Sequence, residues 1–305
     1  MKKIIGIIAV ILFTMSAHGQ QDAQYTQYMY NMNILNPAYA GSKEALNINF
    51  LARSQWVGFD GAPKTITLGV HSPVGKNVGL GLSVIADKLG PLEEQNIYGD
   101  FSYNLTLDNN AKLALGLKAG YTFYNLCIPC LKGVTEGDAL INNLNPNKAF
   151  PNFGVGAFYY TNKFYAGLSI PNLLKSIHFD KSGGQVTRAS EAQHLFITTG
   201  YVFTISQNLK LKPSIMTKAI KGAPLSIDFS GNVLFNNKIE AGLSYRLDES
   251  FSTMINFRVS KTLRIGYAYD HTLTNLQEFN SGSHEVLLLF NFGFENIKIQ
   301  SPRFF

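Results

Sequence analysis

The sequence predicts an all-β protein: an outer-membrane, antiparallel, up-and-down β-barrel of about fourteen strands with an aromatic arm before it. Three observations carry that reading. Apolar and polar residues alternate with period two over segments of about ten residues, the length a tilted strand needs to cross a bilayer and longer than the five or six typical of soluble strands. The charged fraction is only 15%, against about 25% in ordinary soluble domains, while aromatic residues (22 Phe, 15 Tyr) gather at strand ends. Long and short connections alternate in a fixed parity, as they do when strands pass back and forth through a membrane.

The N-terminus is read first. Lys2 and Lys3 form a basic region, residues 4–15 an apolar core, and Ala17-His18-Gly19 a small-residue cleavage site. This pattern describes a secretory signal peptide over residues 1–19, with cleavage before Gln20. The core is too short for a spanning helix, which needs about 20 residues. No Cys stands at the cleavage site, so no lipoprotein anchor is expected. Loss of Lys2 and Lys3 takes the formal charge from +6 to +4, and the remaining basic residues are scattered, which argues against a nucleic-acid partner.

Residues 20–43, QQDAQYTQYMYNMNILNPAYAGSK, form a separate arm: amide-rich and aromatic, without alternation, and closed by Asn36-Pro37 and Gly41-Ser42. A plug inside the barrel and a periplasmic contact are both consistent with it. Residues 44–305 are the expected transmembrane barrel.

Within it, Leu113, Leu115, Leu117, Ala119, Tyr121 and Phe123 alternate with Lys112, Ala114, Gly116, Lys118, Gly120 and Thr122. One face is apolar with an aromatic end, the other small or polar. The same alternation places strands at 44–53, 64–72, 76–86, 93–106, 111–125, 152–160, 163–170, 192–205, 208–218, 224–234, 238–246, 250–259, 262–271 and 283–294. The longer gaps, 54–63, 126–151, 171–191 and 272–282, all follow odd-numbered strands. Barrels keep short turns on the periplasmic side and long loops outside, so the odd connections are expected outside and both termini in the periplasm. In hydrocarbon every backbone N–H and C=O needs an internal partner, which only a closed sheet supplies. Inward glycines such as Gly79, Gly116 and Gly156 permit bending or let an internal segment pack closely. Inward Lys112, Lys118, Lys210, Lys212, Lys218, Arg258 and Arg264 are expected to pair with Asp100, Asp228, Glu240 and Asp270 across the lumen rather than to form an anion pore.

The chemistry is sparse. Cys127-Ile128-Pro129-Cys130 has no second CxxC and no thioredoxin-like surroundings; in an extracellular loop a disulfide or two plain thiols is the simpler reading beside a metal or redox role. Asp270-His271 and Ser283-His284-Glu285 flank the last long loop, but adjacent strand residues point to opposite faces and no G-x-S-x-G elbow is present. No catalytic residue, metal site or cofactor is expected.

Several ordered stretches resemble the PorP/SprF family of type IX secretion and gliding-motility membrane proteins: QDAQYTQYMYNMNILNPAYAGS, ARSQWVGFDGAPKTITLGVHSPV, PNFGVGAFYYTNKFYAGLSIPNLL, KPSIMTKAI, AGLSYR, LRIGYAYDHT, SHEVLLLFNFGF and SPRFF. The resemblance implies a non-enzymatic Bacteroidetes outer-membrane protein. It would support type IX secretion, surface attachment of large secreted proteins or adhesins through their C-terminal domains, or gliding motility. Implied partners are outer-membrane lipid, such a secreted protein, and periplasmic secretion-core and peptidoglycan-binding components. By the same resemblance, partner contacts fall on Asn36, Pro37, Ala38 and Gly41 in the arm, and on Arg53, Gln55, Trp56, Gly58, Phe59 and Pro63 around the first loop. Pro171, Asn172, Asp270, His284 and Glu285 complete that set, and the CIPC loop is no feature of the family. The alternative from the residues alone is a passive porin or a hydrophobic-solute channel.

Overall fold

A computed structural model of the chain describes residues 24–43, 45–108, 111–130, 147–174 and 193–293. The expected signal peptide and both chain termini lie outside the described residues. No helix among those described is long and apolar enough to cross a membrane.

Fifteen strands form one antiparallel sheet: β1 (Ala45–Ser54), β2 (Lys64–Pro73), β3 (Val78–Leu89), β4 (Leu92–Asp108), β5 (Ala111–Leu126), β6 (Asn147–Tyr160), β7 (Phe164–Ile170), β8 (His194–Tyr201), β9 (Phe203–Thr204), β10 (Leu209–Ile220), β11 (Ser226–Phe235), β12 (Ile239–Arg246), β13 (Ser250–Arg258), β14 (Leu263–Thr272) and β15 (Ser283–Gly293). Each pairs with its sequence neighbour, save that β8 and β9 both pair with β10, and β1 pairs with β15, so the ring closes. The expected barrel of fourteen staves is what folds, because β8 and β9 are two pieces of one stave against β10, interrupted at Val202. The first and last strands meet with Arg53 opposite Glu285 and Ser54 opposite His284.

Alternation places the side chains. On β5, Leu115, Leu117, Tyr121 and Phe123 face outward and Ala114, Lys118 and Thr122 are buried inside. Outward Leu80, Ile197, Phe229, Leu243 and Ile265 repeat this around the ring. An apolar surface of this extent on a soluble protein would be a liability; in lipid it is the required solvent match. One boundary departs from expectation: β6 begins at Asn147, five residues before the sequence reading, which took Pro151 and its neighbours for loop. Pro151 instead sits opposite Tyr121, facing outward.

Residues 24–43 lie inside the ring, and nearly all of their side chains are buried. Thr26 stands beside Arg53, Asp270 and Glu285, near the odd-numbered connections β1–β2 and β14–β15. Gly41 stands against Pro73 and Gly79, beside the even-numbered connection β2–β3. The arm therefore threads the lumen from its odd end to its even end before β1 turns back along the wall.

Candidate functional site: the arm threaded through the barrel

The local sequence fixes the arm's shape. Asn36 is extended, and its side chain accepts a hydrogen bond from the Ala38 N–H at 3.0 Å, capping a helical turn at Pro37–Tyr39 with Pro in its first turn. A side-chain cap and a proline whose missing N–H would be orphaned anyway are favourable there. A short helical turn at Met32–Leu35 precedes it. Such short turns leave most backbone carbonyls without internal partners, and an unpaired buried carbonyl is costly.

The wall supplies those partners. Asn49 donates to the Tyr30 carbonyl at 3.0 Å, and the Lys118 ammonium to the carbonyls of Asn33 and Ile34 at 3.3 and 3.0 Å. Ser169 donates to Leu35 O at 2.8 Å and Ser102 to Ala40 O at 2.6 Å. Each donor comes from a different inward-facing strand position. Two glycines allow the close approach: a Cβ at Gly116 would stand 2.1 Å from Ala38 N, and one at Gly79 2.2 Å from Ala40 O. Any larger residue there pushes the arm off the wall.

Three charged clusters hold it. At the odd end, Arg53 pairs with Asp270 at 2.6 Å and Glu285 at 3.2 Å, all nearly solvent-free. Glu285 accepts the N–H groups of Thr26 and Gln27 at 3.0 and 2.8 Å, and the Thr26 hydroxyl donates to Asp270. Midway, Lys118 adds an ion pair with Asp100 at 3.3 Å. Toward the even end, the Tyr30 hydroxyl donates to Glu240 and accepts from Arg264, which pairs with Glu240 at 2.6 Å. Lys212 lies over the Tyr30 ring, 5.5 Å from its centre. Between the clusters, Met29, Met32, Ile34 and Leu35 pack with inward Leu51, Phe158, Met254, Leu287 and Leu289.

Buried charges paired in this way hold a geometry. His271 faces outward while Asp270 faces the arm, and His284 is hydrogen-bonded to Tyr267 at 2.7 Å. Ser283 is taken by the Trp56 N–H at 3.1 Å. The Asp, His and Ser residues flanking the last loop thus go to three separate tasks. Among the described residues no group of three or more His, Cys, Asp or Glu is placed to hold a metal ion.

Residues 17–290 match the type IX secretion system membrane protein family PorP/SprF. The chain belongs to that family. Comparison with curated proteins finds no match. Among solved structures, the chain is similar in fold to the CymD monoaromatic hydrocarbon channel, at 13% identity and a TM-score of 0.50, covering 86% of this chain and 92% of that one. It is likewise similar to the P. putida toluene transporter TodX, at 11% identity and a TM-score of 0.50, covering 87% of this chain and 95% of that one. These likenesses show the outer-membrane barrel fold; with the family match, they make this PorP/SprF protein an integral outer-membrane protein.

The residues singled out from PorP/SprF resemblance divide in the structure. Asn36, Pro37, Ala38 and Gly41, with Arg53, Asp270 and Glu285, are buried between arm and wall. Their contacts among the described residues are with one another and with the barrel wall. Gln55, Trp56, Gly58, Phe59 and Pro63 form the β1–β2 loop, which is tied to the β14–β15 loop through Val57 N to Gly282 O at 2.8 Å and Ser281 N to Val57 O at 2.7 Å. Gly58 and Phe59 are exposed at its tip. Pro171 and Asn172 lie elsewhere, after β7, with Pro171 packed on Gly154. Cys127 and Cys130 are joined as a disulfide in the connection after β5. Sequence reasoning missed Thr26, Tyr30, Asn33 and Asn49 as arm contacts. The available signal was the inward glycines, Gly79 and Gly116 among them, whose missing side chains leave room for the arm's backbone at Ala40 and Ala38.

Proposed function

We propose that this chain is a non-enzymatic, plugged outer-membrane barrel that serves type IX secretion as a docking and anchoring component. Its function is to hold a large secreted protein or adhesin by its C-terminal domain, in secretion, surface attachment or gliding, in contact with periplasmic secretion-core and peptidoglycan-binding components. The observation that carries this is the family match over residues 17–290, together with an arm that fills the lumen with packed side chains. A lumen so occupied suits a scaffold rather than an open pore. The family and the described fold neighbours are membrane proteins, channels and transporters, and nothing in the arm–wall contacts calls for catalysis. In the proposed orientation the even-numbered turns and the end of β15 face the periplasm, and the odd loops, including exposed Phe59, face the surface. The start of the arm then stands at the surface-side mouth, a departure from the sequence expectation of a periplasmic amino terminus.

Affinity isolation of the tagged protein from outer membranes tests the proposal. Recovery of a large secreted protein or type IX core components is expected; recovery of the barrel alone would count against it. The passive porin or hydrophobic-solute channel reading predicts measurable flux. Planar bilayers holding the intact chain should be silent; steady conductance or solute uptake with the arm in place would favour that alternative.

A further inference from the structure

The basic residues that look scattered in sequence are gathered by the fold. Lys76 lies in the β2–β3 turn, Lys163 in β6–β7, Lys238 in β11–β12 and Lys261 in β13–β14, all even-numbered connections, and all four are exposed. None of the four forms an ion pair among the described residues. The turn segments 74–77, 161–163, 205–208, 236–238 and 259–262 contain no Asp or Glu; the remaining even connection, β4–β5, has Asp108 at its start. The odd end differs: Asp60, Glu93, Glu94, Asp248, Glu249 and Glu278 stand in or beside its connections. Four of the six even-numbered connections thus carry an exposed lysine, while the odd rim, with Lys64, Lys88 and Lys221 beside its carboxylates, is mixed in sign.

Each exposed lysine also borders the lipid-facing belt. Val74 precedes Lys76, Phe235 and Ile239 flank Lys238, Val259 precedes Lys261, and Phe164 follows Lys163 with Tyr201 opposite it. A lysine placed just past an apolar belt lays its methylene stem along hydrocarbon and lifts its ammonium to the level of lipid phosphates. We propose that this lysine crown binds the phosphate headgroups of anionic phospholipids in the leaflet around the even end, fixing the barrel's depth and orientation. The distribution favours lipid over an acidic protein. The four lysines come from turns on opposite arcs of the ring, whereas one docked protein would contact one arc, and only an annulus of lipid meets every turn at once.

The proposal rests on the barrel being embedded in membrane and not on its secretion role, so an affinity isolation that recovers no partner leaves it standing. The test uses the full chain in detergent, exposed to phosphatidylglycerol or phosphatidylcholine and read by native mass spectrometry, with folding checked by heat-dependent gel mobility. The wild type should retain phosphatidylglycerol with a preference of about tenfold or more. The variant with Lys76→Gln, Lys163→Gln, Lys238→Gln and Lys261→Gln should fall to near parity, while Lys64→Gln, Lys88→Gln and Lys221→Gln together, at the odd end, should keep the preference. An unchanged preference in the even-end variant overturns the proposal, as does an equal loss in the odd-end control. An even-end variant that keeps its lipid but no longer binds poly-glutamate would assign the crown to an acidic protein instead.

Discussion

Removing the Glu285 carboxylate should free the start of the arm while leaving the barrel closed. Glu285 is fully buried and accepts the Thr26 and Gln27 N–H groups as well as Arg53. In Glu285→Ala two buried donors lose their acceptor, at about 1–3 kcal/mol each. Arg53 keeps Asp270 at 2.6 Å, so its charge is not stranded and the full penalty of a broken buried pair does not apply. Water entering the vacated space offsets part of the loss, leaving about 3 kcal/mol, equivalent to about a hundredfold in the opening equilibrium. Amide hydrogen exchange followed by mass spectrometry reads that equilibrium directly at the two N–H groups concerned. Exchange of the peptide covering 24–31 should accelerate by about a hundredfold, and that of 36–43, held by Ser102 and the Asn36 cap, by far less. As a control, Glu249→Ala at the same rim removes a half-exposed carboxylate 3.4 Å from Arg246 and should change exchange by no more than a few-fold. Equal acceleration in both peptides, or none in either, would refute the clasp.

Further predictions follow from the same contacts. Gly116→Val should raise exchange across 36–40 without loss of barrel formation, since its side chain would overlap Ala38 while the β4–β5 and β5–β6 pairing is untouched; unchanged protection would mean the arm does not rest there. Lys118→Met should lower the unfolding temperature by leaving Asp100 unpaired in a dry site, a loss of about 3–5 kcal/mol, and Lys118→Met with Asp100→Leu should recover much of it. If the double variant is no better than the single, the pair is not coupled.

The wall was legible in the sequence because lipid and lumen impose opposite demands on neighbouring residues. The row Leu113 to Phe123 could alternate only one way, and hydrocarbon demands that strands of this kind close on themselves. The break at Val202 was not legible, since Tyr201 and Phe203 keep the period through it. The arm's course was hidden for a different reason. Its amides and aromatics suit either a water-facing tether or a lumen lined with Asn49, Lys118 and Ser169, and local pattern does not say which. The rim clasp was hidden too: Arg53, Asp270 and Glu285 are far apart in the chain and meet only because closure sets Arg53 opposite Glu285. What the sequence did hold was a set of inward glycines whose missing side chains match the arm's backbone at Ala38 and Ala40.

The most direct measurement replaces the lone Trp56 by Phe and moves a single tryptophan around the molecule. Brominated lipid should quench a tryptophan at Leu117, Ile197, Leu243 or Ile265, on four arcs of the ring, and should spare one at Tyr28, which acrylamide in the water should also fail to reach. Quenching by lipid at Tyr28, or a wall position open to water instead of lipid, would contradict a closed barrel with its arm inside.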